Sequence, residues 1–333
     1  MNVSLKRRPF LGGIGAATLA AAATPAAAQA GLTLRMSTPA TPTDQRSVAL
    51  AEIFGPAVKD FATYQPHYNS TLFKQGTELE AIARGNLEMS ITSAQELATI
   101  FPQWSIFTAG YLLRDADHQK KVFASPIMDE LKKPVEDRLG VKLLSVMYLG
   151  RRQLNLRTEK EIRRPADLAG TKLRMPNTEA WLFLGSALGA NPLPLAFTEI
   201  YTALQTGVVD AIEVPADFIT TQKVFEVSKH ATRTHHIFTE VSMFASARKM
   251  AALSADHQKV IREAARRAVA EEMWAQNLKE QTAAWAELAG KVKAIPDPDV
   301  PSFREKMAPV IANFVSKTGA KGKAFVDAVA AAG

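Results

Sequence analysis

Residues 167–215 read DLAGTKLRMPNTEAWLFLGSALGANPLPLAFTEIYTALQTGVVDAIEVP. Asp167-Leu-Ala-Gly170 has the form of a short helix ended by glycine, and Thr171 to Met175 that of a strand. A helix is predicted from Thr178 to Leu188, stopped by Gly189 and Pro192. A second runs from Phe197 to Thr206 and stops at Gly207, before a strand over Val208 to Val214 that Pro215 ends. Strands that alternate with helices in this way predict an α/β fold of open, largely parallel sheets covered by helices. Ligands of such folds lie in the crevice beyond the carboxyl ends of the strands.

The same rhythm extends outward. Leu32 to Ser37 reads as a first strand, followed by the turn-rich Thr38-Pro-Ala-Thr-Pro42 and an apolar helical spacing over Ser47 to Phe61. His67-Tyr68 belongs to a second strand, Glu78 to Arg84 to a helix, and Leu87 to Thr92 to an alternating strand. Val141 to Leu149 reads as a strong strand closing at Gly150. Downstream, Ser254 is placed to cap a helix from about Ala255 to Leu288. At 1.5 Å per residue that helix spans roughly 50 Å. It is longer than one small domain and keeps no strict heptad, so it reads as a strut across two lobes.

The chain has 333 residues, 47% hydrophobic and 22% charged, the balance of an ordinary globular protein. Its first thirty residues differ. Lys6, Arg7 and Arg8 precede a short apolar run, Leu11 to Ala23, and Ala26-Ala-Ala28 and Ala28-Gln-Ala30 fit a small-x-small cleavage pattern. This is the layout of a secretory signal over residues 1–30, and the run is too short for a membrane anchor of ~20 residues. Arg7-Arg-Pro-Phe-Leu11 resembles a twin-arginine leader, with Lys6 where Ser or Thr usually stands. The formal net charge is +7; the leader's three cations leave +4 (7 less 3) for the rest. No stripe of Lys and Arg with interleaved aromatics appears, so no nucleic-acid partner is expected.

Cysteine is absent, which excludes disulfides, thiolate metal sites, thiol nucleophiles and a lipid-anchoring cysteine. No nucleophile elbow, zincin helix, Walker loop or dinucleotide fingerprint occurs after the leader, so no catalytic residues are assigned and no cofactor is expected. His235-His236 lacks acidic neighbours, and adjacent strand residues face opposite ways, so no metal site is expected either. Arg152 and Arg174 stand at predicted strand ends, where the crevice should be. A guanidinium offers a planar fork matched to a carboxylate. Two of them there suit an organic anion. Each could equally be neutralised by a carboxylate of the protein.

Leu188 to Asp210 strongly resembles the signature of the extracytoplasmic solute receptors of tripartite ATP-independent periplasmic (TRAP) transporters. Gly150-Arg-Arg-Gln153, Asp167 to Pro176, Phe225-Glu-Val-Ser-Lys229, Leu253 to Gln258 and Phe314 to Gly322 resemble further elements of that family. The resemblance covers essentially the whole chain after the leader. It implies a two-lobed periplasmic-binding-protein fold with β-strand hinge crossings and a long helix spanning both lobes. The lobes are expected over 31–149 plus about 240–279, and over 150–239 plus about 280–333. It also implies a periplasmic binding protein that captures a small organic acid between lobes that close over it. The acid would then be delivered to the transporter's small and large membrane subunits. A sensing partner for a membrane signalling protein would have the same fold, and an exported enzyme acting on a small acid is the remaining alternative.

By the resemblance, Arg174 forms the two-pronged salt bridge to the ligand carboxylate, Arg152 lies near it, and Phe197 packs on the ligand. By position, Ser37, Gln75, Ser93 and Tyr111 of the first lobe and Asn177 of the second line the cleft. The family commonly reads Asp-Gly-x-Glu-Asn-Pro where this chain has Asp210-Ala-Ile-Glu-Val-Pro215, so Val214 replaces an Asn of the cleft. With Phe197 and Phe218 nearby and Trp181 read as helix core, this predicts a sparsely hydroxylated acid over sialic acid or a hexuronate. Ser37, Gln75, Ser93 and Glu96 remain able to serve some hydroxyls.

Overall fold

The computed structural model describes residues 32–332; the expected leader lies outside them. Ten strands form one mixed sheet that serves two lobes. In chain order they are β1 (Leu32–Ser37), β2 (Ala62–His67), β3 (Met89–Thr92), β4 (Val141–Leu156) and β5 (Lys172–Met175), then β6 (Asn191–Pro194), β7 (Ala211–Pro215), β8 (His230–Thr232), β9 (Phe238–Ser246) and β10 (Lys293–Ile295). The spatial order is β2-β1-β3-β9-β4-β7-β5-β6, with β8 beside β4 and β10 beside β8. Neighbours at the outer parts are parallel, as the βα rhythm predicts. The central β4 and β9 run antiparallel to their partners.

β4 does not close at Gly150. It pairs with β9 through Arg151 in the first lobe and with β7 from Arg152 in the second. A register shift between Tyr148 and Gly150 marks a bulge at the crossing. Gly150 has φ 140°, and a Cβ there would lie 2.7 Å from Pro215 Cβ and 2.5 Å from Gln281 Nε2. Only glycine fits both the backbone and the space. The chain recrosses just before β9, where Arg152 N donates to Ile237 O at 2.9 Å.

The third connection is the expected long helix. Ala255–Ala265 runs through the wider turns Arg266–Met273 into Trp274–Glu287. Ser254 caps it, its Oγ accepting from His257 N at 3.1 Å. Ile261, Ala264, Ala268 and Met273 pack into the first lobe's core with Leu34, Met36 and Phe54, and Leu288 beyond the helix end packs into the second lobe's.

The final segment departs from the expected lobe boundaries. The helix Met307–Ala331 breaks at Gly319, with φ 66° and ψ −150°. Met307 and Val310 join the second lobe's core beside Phe303. Phe314, Phe325 and Val329 return to the first lobe beside Trp104 and Val135. Residues 280–333 therefore do not stay with one lobe.

Candidate functional site

A cavity of about 450 Å³ opens at the carboxyl ends of β1, β3, β5 and β7, walled by both lobes. The second lobe brings Arg152, Arg174, Asn177, Trp181, Leu195, Phe197, Val214 and Phe218 to it. The first brings Asp44, Arg46, Gln75, Thr92, Ser93, Glu96 and Glu240.

The two arginines resolve differently. Arg152, 7% exposed, gives its fork to Glu213: Nε and Nη2 reach the two carboxylate oxygens, the latter at 2.6 Å, and Nη2 also donates to the Glu213 carbonyl at 2.6 Å. Its Cζ lies 4.7 Å over the Trp181 ring. Burial alone would raise the fully buried Glu213 carboxyl, but Arg152, with His236 behind, holds it below the usual carboxylate range. His236 Nε2 lies 3.4 Å from Glu213 Oε2 but too poorly directed to bond it.

Arg174 is 2% exposed, and its Nε and Nη2 both donate to one carbonyl, Leu195 O, at 3.0 and 2.7 Å. Among the described residues no carboxylate oxygen comes within 4 Å of it. Burial and then the like charge of Arg152 pull its pKa down to about 9, against the more distant Glu213 and Glu199. A buried guanidinium so poorly compensated is stabilised by an incoming anion.

Phe197 joins the two walls. Its N–H donates across the cleft to Gln75 Oε1 at 2.8 Å, its ring lies 4.7 Å from that of Phe218, and Arg46 Cζ sits 5.7 Å over it. The lobes are thus in contact at the mouth. Gln75 Nε2 in turn donates to Glu96 Oε1 at 3.4 Å, which also accepts from Thr92 Oγ1 at 2.7 Å. Burial pushes the Glu96 carboxyl up despite those bonds, and burial and then Glu96 push up the neighbouring Glu78. Asp217 is pushed up to about 7 by burial, then by Asp44 and Glu280; its carboxylate accepts from Gln281 of the long helix.

Seven of the nine expected residues line this cavity: Arg152, Arg174, Asn177, Phe197, Val214, Gln75 and Ser93. Two do not. Ser37 is fully buried beneath it at the end of β1, its carbonyl accepting from Ser90 Oγ at 3.0 Å. Tyr111 turns away to the second lobe's core, its Oη donating to Thr234 O at 2.9 Å with Arg304 over its ring. Trp181 is core, as expected, 3% exposed in the second lobe's buried cluster, and it also lines the cavity beneath Arg152. Asp44 and Arg46 escaped the sequence reading. Asp44 caps the helix starting at Gln45, accepting from Arg46 N at 2.9 Å and pairing with the Arg46 side chain at 2.6 Å. A Pro-rich turn followed by Asp-x-Arg was the available signal. Among the described residues no group of three His, Asp or Glu could hold a metal.

Comparison with known proteins agrees with this architecture. A crystal structure of a TRAP periplasmic solute binding protein from Roseobacter denitrificans, with bound 3-deoxy-D-manno-oct-2-ulosonic acid, is 48% identical with a TM-score of 0.85, covering 91% of this chain and 100% of that one. A curated solute-binding protein of the same species is 30% identical over 197 residues, 59% of this chain and 60% of its own length. The 2,3-diketo-L-gulonate-binding periplasmic protein YiaO of Escherichia coli is 29% identical over 193 residues, 58% of each. The chain thus spans about three-fifths of the length of these curated relatives. The family model described as bacterial extracellular solute-binding protein, family 7, matches residues 49–318. With two lobes, strand crossings and a cleft holding a buried unpaired arginine, the chain belongs to that family of solute-binding proteins.

Proposed function

We propose that this chain is an extracytoplasmic receptor that captures a polyhydroxylated organic acid by its carboxylate and passes it to TRAP membrane subunits. Arg174 carries the reading: it is a buried cation at the base of the cleft with one carbonyl for a partner. A ligand carboxylate completes its fork. Export rests on the leader-like residues 1–30, and no helix among the described residues is long and apolar enough to cross a membrane.

The ligand class differs from the sparsely hydroxylated acid that Val214 suggested. Val214 makes only part of the second-lobe wall apolar. The facing wall carries Asp44, Gln75, Thr92, Ser93, Glu96 and Glu240, whose oxygens and amide can pair the hydroxyls of a sugar acid. The bound ulosonic acid of the 48% identical protein supports the same class. A thermal-shift screen tests it: 3-deoxy-octulosonic acid, gulonate and galactonate are expected to raise Tm, by an amount that grows with concentration. Stabilisation by succinate or pyruvate alone would contradict the reading.

A further inference from the structure

Among the described residues the cations that line the cavity are Arg46, Arg152 and Arg174. Two of them are already neutralised. Arg46 gives Nε and Nη2 to the two Asp44 oxygens at 2.8 and 2.6 Å, and Arg152 gives its fork to Glu213. Arg174 alone is left to pair with a ligand anion. The opposite wall adds no cation. Glu96 lines it, with Oε1 accepting from Thr92 and Gln75 and Oε2 without a partner. Glu78 lies beside Glu96, fully buried, its Oε2 accepting from Gly76 N at 2.7 Å and its Oε1 without a partner. Among the described residues neither carboxyl forms an ion pair. Burial pushes Glu96 up to about 7, and burial and then Glu96 push Glu78 up to about 8, with no cation opposing either rise. Glu199, Asp217 and Glu240 also line the cavity, so acidic groups outnumber cations around it.

We propose that Glu96, with Glu78 behind it, restricts this receptor to acids with a single carboxylate and rejects aldaric acids, which carry a second one at the far end. The inference deepens the sugar-acid reading above and rests on it. One carboxylate satisfies Arg174. A second, wherever it lies in the cavity, loses its water and meets either a guanidinium that already holds a protein carboxylate or an acidic group. Like charges brought together out of water suppress the wrong partner. A terminal hydroxyl has the opposite effect, because it can donate to Glu96 Oε2, the acceptor that lacks a partner. The selection therefore comes from the charge of the wall and does not depend on the length or stereochemistry of the sugar acid.

Calorimetry at about pH 8, where Glu96 is ionised, tests this with galactarate and D-glucarate. These are galactonate and L-gulonate with the sixth carbon oxidised to a carboxylate. The reference is the sugar acid of the thermal-shift panel that stabilises the wild type most. The wild-type chain should bind that reference at least about a hundredfold more tightly than either aldarate. Glu96→Gln, and Glu78→Gln should the first fail to fold, removes a negative charge and keeps an oxygen acceptor. Each should shrink the ratio by at least about tenfold through tighter aldarate binding. An aldarate that binds the wild type as tightly as the reference, or a ratio unchanged in the folded variants, overturns the inference and leaves the sugar-acid reading standing. Failure of every sugar acid in the panel would overturn the two together.

Discussion

Arg152 on β4 and Glu213 on the adjoining β7 form a buried bidentate pair, with Nη2 2.6 Å from Oε1, and that pair separates the roles of the two cleft arginines. Arg152 arrives already neutralised. Arg174, with β7 between them, does not.

Glu213→Ala should therefore destabilise the fold itself. It leaves the Arg152 guanidinium buried and unpaired, which typically costs ~3–5 kcal/mol. Urea unfolding without ligand measures it. A loss below about 1 kcal/mol would show that the pair contributes little to the fold.

The contact between Phe197 N and Gln75 Oε1 predicts how closure responds to mutation. A single hydrogen bond contributes ~0.5–1.5 kcal/mol net, so Gln75→Ala should weaken ligand binding by up to about tenfold. Ligand binding to the wild type should compact the protein in small-angle scattering, since a ligand touching both lobes favours the closed state by its differential affinity. An unchanged scattering curve at saturating ligand would contradict a hinged receptor.

Asp217 gives a pH dependence with a definite sign. Its folded pKa is raised to about 7, first by burial and then by Asp44 and Glu280, whereas an unfolded aspartate titrates near ~3.9. Between those values the native chain binds more protons than the unfolded one. Its contribution to stability is fully present below about pH 4 and declines as pH rises to about 7. Asp217→Asn keeps an oxygen for Gln281 and removes that decline. The stability difference between pH 5 and pH 7.5 should narrow in the variant on the order of 2 kcal/mol; this is discounted from ~1.4 per unit because Asp217 faces the cavity. An identical difference in both proteins would count against a raised Asp217.

The α/β rhythm and the long helix were legible because they follow from local patterns, whereas the cleft residues other than Arg152 and Arg174 were reached through the family resemblance. Strand alternation, Gly207 and Pro215 as stops, and Ser254 as a cap are each written within a few residues. What was not legible depends on distant neighbours. Gly150 inside a bulge has the same local signature as a glycine that ends a strand; the difference is made by β9, Pro215 and Gln281. Tyr111 has a polar tip suited to a cleft, and the Thr234 carbonyl and Arg304, both distant in sequence, hold it elsewhere. Trp181 is core as its helix spacing indicates, but its additional place on the cavity wall, under the Arg152 guanidinium from 29 positions earlier, depends on a long-range contact. The return of Phe325 and Val329 to the first lobe is likewise a long-range contact that no helical period encodes.

Isothermal calorimetry of Arg174→Ala and Arg174→Lys against a sugar acid that stabilises the wild type tests the central claim most directly. Losing one partner of a buried charge pair costs ~3–5 kcal/mol, so the alanine variant should bind at least about a hundredfold more weakly. The lysine variant should also lose most of its affinity, because a point charge does not replace a planar fork. Wild-type affinity in a folded Arg174→Ala protein would contradict the account.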